Sequence, residues 1–194
     1  LVVTAGFAIL RRAVSKNSLD FAKIAKALSD RAALFKGAVA KVGIPAGKKY
    51  PDGTSIAYVG TIHEFGAPEV NIPQRSWLRS TRNAKRDVWA KDLAEGAQAV
   101  AQRRISLDGM LDAVGAAAAG DVVATIAARI PPPLKPATVA ARIRRARKTN
   151  PKFGAKSLPI TISHPLIDTG ALVAHIAFGT GPQGEEFTGG KTVK

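Results

Sequence analysis

The sequence predicts a helix-rich mixed fold with a few short strands, and three observations predict it. Several stretches carry apolar residues at helical spacing with charged residues between them, and two brief runs, Ala38 to Ile44 and Ile176 to Phe178, read as strands. Hydrophobic residues make up 46% of the 194 residues, enough for a core. Much of this content is alanine and aromatics reach only 6%, so smooth helix faces are expected, with neighbouring subunits supplying part of the stability.

The opening run Leu1 to Leu10 is apolar but far shorter than the roughly 20 residues of a membrane span. Arg11 and Arg12 follow it, where a signal peptide would place its cations first, so it reads as a buried strand or helix turn and no membrane contact is expected. From Leu19 to Phe35, Leu19, Ile24, Leu28 and Phe35 keep a helical period with Lys23, Lys26 and Arg31 between them, and Gly37 closes the helix. The strand Ala38 to Ile44 ends at Pro45, and Gly47 to Gly53 is a basic turn-rich loop.

Thr54 or Ser55 caps a helix that carries Ile56, Val59 and Ile62 to Phe65, with Gly66 as its stop and Pro68 just beyond. Pro73 forces Ile72 into an extended conformation. A long helix is expected from Ser76 to Arg104, weakened at Gly96, and another from Ser106 to Ile130 whose middle, Gly115 to Gly120, lacks side-chain bulk and permits close helix approach. Pro131, Pro132 and Pro133 form a stiff connector, and Pro136 suits the first turn of a helix over Ala137 to Lys148.

Beyond that helix, Asn150 to Ser163 reads as a loop or arm, because Pro151, Gly154 and Pro159 prevent regular structure. Asp168 or Thr169 caps a last short helix through Leu172 and His175. The expected organisation is one domain over residues 1–178, with an extended basic loop over 142–163 inside it, and a flexible Gly-rich tail over 179–194.

Lys and Arg number 29 against 14 Asp and Glu, a net charge of +15, which makes an anionic partner worth weighing. The cations concentrate at Arg142, Arg144, Arg145, Arg147, Lys148, Lys152 and Lys156, a stretch without an acidic residue, which is expected to face solvent, an acidic partner surface or DNA. Cysteine is absent, which excludes disulfides, a thiolate nucleophile and Cys-based metal sites.

Three local motifs suggest chemistry and each fails on its own requirements. Asp168-Thr169-Gly170 matches the active-site strand of retroviral-type aspartic proteases, but that fold needs a long series of β-hairpins after the motif, and the residues that follow are few and largely Gly-rich. His63-Glu64 resembles the start of a zinc-binding helix, which requires a second histidine at position 67, where Ala67 stands. Gly189-Gly190-Lys191-Thr192 ends like a phosphate-binding loop, but the first glycine of that motif would fall at Glu185. The chain is therefore expected to be no enzyme and to hold neither cofactor nor metal.

Four other stretches stand in a telling order. They are Ala57 to Gly66, ending in Glu64-Phe65-Gly66; Ile72-Pro73-Gln74-Arg75-Ser76-Trp77-Leu78-Arg79; the small-residue helix to Ile130 followed by Pro132 to Pro136 and Thr138-Val139; and Pro165 to Leu172 around Asp168-Thr169-Gly170. Together they resemble the virion-morphogenesis or tail-completion (neck) proteins of tailed phages, with Ser76-Trp77 in place of the usual Pro-Phe and a longer basic insertion before Asp168. The resemblance implies an α+β fold, a small antiparallel sheet packed against several helices. It implies a structural protein of the virion neck or tail, assembled in the host cytoplasm as a homo-oligomeric ring, taken as a hexamer by analogy with phage tails. Head connector or adaptor and tail terminator or tail-tube proteins would be its neighbours, with genomic DNA a further contact. The alternative from the residues alone is a basic nucleic-acid-binding protein using residues 142–156 as a phosphate-contacting arm, although base-stacking aromatics and a known binding signature are missing.

Overall fold

A computed structural model describes residues 21–33, 35–149 and 160–192. Leu1 to Leu10, Lys152 and Lys156 lie outside the described residues. The chain divides into two compact units between Lys36 and Gly37, where one domain over residues 1–178 was expected. The first unit contributes helix α1 (Phe21–Ala33), inside the predicted span, with Lys26 and Asp30 one turn apart and 3.0 Å from each other.

The second unit holds the sheet. Strand β1 (Ala38–Gly43) runs antiparallel to β2 (Ala177–Pro182), with Ala38 opposite Pro182 and Gly43 opposite Ala177. The short β3 (Lys191–Thr192) pairs antiparallel with the start of β2, giving the order β1-β2-β3. The class is α+β with a small antiparallel sheet. The tail expected to be flexible from Gly179 onward is corrected here: residues 179–182 continue β2, and Lys191 and Thr192 form β3. Gly179 and Gly181 read as loop residues, yet ladder hydrogen bonds use only the main chain, and Ala38 to Lys41 supply their partners from a distant part of the sequence.

Helix α2 (Ile56–Phe65) starts at Ser55, whose hydroxyl accepts from the Tyr58 N–H at 3.3 Å, and stops at Gly66. Gly66 has φ of 78°, and a Cβ there would sit 2.9 Å from the Gln74 backbone nitrogen, so the corner is built for glycine on both counts. A single 3-10 turn (Pro68–Val70) follows, and Ala67 and Ile72 exchange backbone hydrogen bonds of 2.8 and 3.0 Å across it.

Helices α3 (Leu78–Ala101) and α4 (Leu107–Ala127) pack against each other, α4 capped by Ser106, which accepts from the Gly109 N–H. Helix α3 runs unbroken through Gly96. A Cβ at that position would lie 2.4 Å from Met110 Cγ, so the glycine lets the two helices approach. Helix α4 also lies against β1 and β2 and supplies Ala119, Val122 and Ile126 to a core completed by Ile56, Trp77, Leu166, Leu172, Ile176 and Phe178. Each large aliphatic side chain buried there contributes about 1.5–3 kcal/mol. By length and composition α4 is apolar enough to cross a membrane, and its residues Met110, Leu111, Val122 and Ile126 are buried within this unit.

After the proline connector comes α5 (Pro136–Thr149), with proline in its first turn and Arg147 and Lys148 in its last. A 3-10 turn (Ile160–Ser163) and the short α6 (Ala171–Ala174) lead into β2.

Candidate functional site

The stretches singled out by sequence meet around one buried carboxylate. Glu64, on the last turn of α2, is only 4% exposed. Its Oε2 accepts the backbone N–H groups of Trp77 and Leu78, each at 2.8 Å, and its Oε1 accepts the Ser76 hydroxyl at 2.7 Å, the Arg79 N–H at 3.1 Å and Arg79 Nε at 2.8 Å. The first N–H groups of a helix have no partner within it, and they carry the positive end of its dipole. Glu64 therefore caps α3 from another element. Burial pushes its pKa up, but the hydrogen bonds from Leu78, Ser76 and Arg79 outweigh that and hold the carboxyl below its ordinary value.

The ion-pair partner of Glu64 is Arg79, whose guanidinium also lies 4.4 Å from the centroid of the exposed Phe65 ring. Arg75 turns elsewhere. Its side chain, 4% exposed, donates from Nε to Pro132 O at 2.8 Å and from Nη2 to Pro133 O at 3.3 Å, while its backbone N–H donates to His63 O. Sequence reasoning missed Pro132 and Pro133 as acceptors, since nothing local links a cation to carbonyls more than fifty residues on. It also missed the Glu64 cap, because the signal for a cap is a polar residue directly before the helix, whereas Glu64 comes from another helix.

Asp168 was expected to cap the last short helix, with Thr169 as the other candidate. The residue at the cap position is Gly170, in the left-handed region, and it makes no side-chain cap bond. Thr169 Oγ1 accepts from the Ala171 N–H at 3.3 Å. Asp168 instead pairs with Arg142 at 3.5 Å and with Arg145, both on α5. An aspartate can satisfy a nearby guanidinium more strongly than one peptide N–H, and two guanidinium groups compete for this one.

This also corrects the reading of the basic segment as wholly partner-facing. The Arg142 side chain is 10% exposed and donates to His164 O at 2.8 Å and Ile167 O at 3.1 Å, so it braces the loop before α6. Helix α5 turns Val139, Arg142, Ile143 and Ala146 inward at helical spacing, leaving Arg144, Arg147 and Lys148 exposed.

Between α2, α5 and the Asp168 loop lies a small recess of about 170 Å³, lined by Tyr50, His63, Arg142, Asp168 and Thr169 among others. His63 Nδ1 is buried without a hydrogen-bond partner. Burial, then the nearby charges of Arg75 and Arg142, push the His63 pKa down, which favours the neutral ring. Among the described residues, no three His, Cys, Asp or Glu side chains are grouped so as to hold a metal ion. His164 and His175 bond to the carbonyls of Ala127 and Ala171. A larger apolar recess of about 550 Å³ opens between β1, α3 and α4, lined by Val39, Val42, Trp89, Leu93 and Leu111 among others.

No protein-family model, no curated protein and no solved structure matches the chain.

Proposed function

We propose that the chain is a structural protein of a tailed-phage virion, a neck or tail-completion protein that joins the head connector to the tail. The observation that carries this reading is the way the stretches resembling that family bind one another. Glu64 of the first receives the backbone of Trp77 to Arg79 in the second; Arg75 of the second is held by Pro132 and Pro133 of the third. Asp168 of the fourth is clamped by Arg142 and Arg145 of α5, the helix that begins within the third. The residues that make the resemblance are thus spent on fixing shape. A joint in a particle works by shape and subunit contact and needs no turnover.

Exposed apolar side chains along α2 and in the turn after it, Tyr58, Phe65 and Val70, suit a protein that assembles into a ring with copies of itself. Particles assembled with and without the chain test the reading. Without it, filled heads and complete tails are expected to accumulate unjoined, and particles made with it should show its density at the neck. Infectious, fully joined particles made in its absence would overturn the proposal.

A further inference from the structure

Helix α5 separates its cations by task. Arg142 and Arg145 are bound to Asp168, whereas Arg144, Arg147 and Lys148 stand exposed and, among the described residues, none has an acidic partner. Arg144 and Lys148 are one turn apart with Arg147 beside them, so the three form a single cationic ridge over the last turns of the helix. The other exposed residues of the helix are Pro136, Ala137, Thr138, Ala140, Ala141, Arg145 and Thr149, small or polar throughout.

That composition discriminates between partners. A protein interface draws its energy from aromatic or large aliphatic anchors seated in pockets, and the exposed side of α5 offers only alanine, threonine and one proline beside its cations. Single-stranded nucleic acid is gripped by stacking its bases on aromatic rings, and none stands on α5. Duplex DNA presents phosphates outward, with its bases stacked inside, and can be held by guanidinium and ammonium groups alone. The helix dipole does not oppose this arrangement, since cations at a C-terminus complement it.

We propose that the ridge Arg144, Arg147 and Lys148 binds the phosphate backbone of duplex DNA without reading its sequence. The site does not rest on the neck reading, and it narrows the anionic contact of the basic segment to three residues. Phosphate contacts release counterions, so the affinity falls with salt, and each neutralised phosphate adds about 0.9 to the slope of log K against log salt.

The test is fluorescence anisotropy of the full chain with a labelled random-sequence duplex across a salt series. Replacing Arg144, Arg147 and Lys148 with glutamine is expected to weaken binding at least about tenfold at 0.1 M salt and to flatten the slope by roughly 2–3. The substituted side chains are exposed, so an unchanged melting temperature identifies a folded variant, and Lys148→Gln alone should flatten the slope by about 0.9. The control removes the same charge from α3 and the turn that follows it, by glutamine at Lys91, Arg103 and Arg104, and should retain most of the affinity. Equal loss in the control would reduce the effect to net charge and overturn the proposal. So would binding of single-stranded DNA or polyglutamate as tight as that of the duplex.

Discussion

Glu64 shows how one side chain can decide whether a fold closes. Its two oxygens satisfy the main-chain donors that open α3, and Arg79, with 43% of its side chain exposed, adds a screened ion pair. Glu64→Ala is therefore expected to cost about 3 kcal/mol in urea unfolding, mostly from the stranded N–H groups, with Glu64→Gln costing less because an amide oxygen still accepts. A loss well under 1 kcal/mol for the alanine variant would mean that water replaces the carboxylate at no penalty. His63 adds a pH dependence of calculable sign. Its pKa is lowered in the fold, so below about pH 6.5 the unfolded chain takes a proton that the folded chain refuses, and stability falls as pH drops. Glu64, also lowered, adds its own loss at still lower pH, as its carboxylate is protonated. Melting curves between about pH 7 and pH 5.5 should show the first effect, and His63→Gln should remove it. Neither role could be read from the sequence, where Glu64 and His63 are neighbours in a helix and their partners lie on other elements.

At the scale of elements, the sequence was most readable where local pattern suffices. Ser55 and Ser106 each cap the helix they precede, and Gly66 ends α2 as its position suggested. It failed where the determining partner is distant. Gly179 to Pro182 looks like tail until Ala38 to Lys41 are placed beside it, and Arg142 looks solvated until His164, Ile167 and Asp168 are folded against it. Two predictions follow from those distant pairs. Cutting the chain after Gly179 removes half of β2 and all of β3, and should lower the melting temperature by at least about 5 °C or abolish cooperative unfolding. Retention of the full transition would restore the flexible-tail reading. In α5, Arg142→Gln should cost about 2–4 kcal/mol by leaving two inner carbonyls without their donor, while Arg144→Gln stays within about 0.5 kcal/mol. Equal costs would contradict the division between bracing and exposed cations.

For the whole molecule, the balance of charge sets the last expectation. The chain carries +15, and its exposed ion pairs, such as Lys26 with Asp30, Arg86 with Asp87 and Lys91 with Glu95, are of the solvent-screened kind that adds little. Repulsion among the surplus cations acts over a Debye length of about 30 Å at 0.01 M salt and about 10 Å at 0.1 M, so added salt relieves it across much of the surface. The Glu64 carboxylate is buried and its bonds are largely to main chain, so salt weakens it much less. Sodium chloride is the appropriate salt, since sulfate would strengthen apolar burial as well. The melting temperature of nuclease-treated protein is therefore expected to rise by a few degrees over that range. The variant with glutamine at Arg144, Arg147 and Lys148 carries three fewer charges and should gain less. A melting temperature that falls with salt would show that attractive pairs outweigh the surplus, and the charge would then have to be balanced within the fold rather than by a partner.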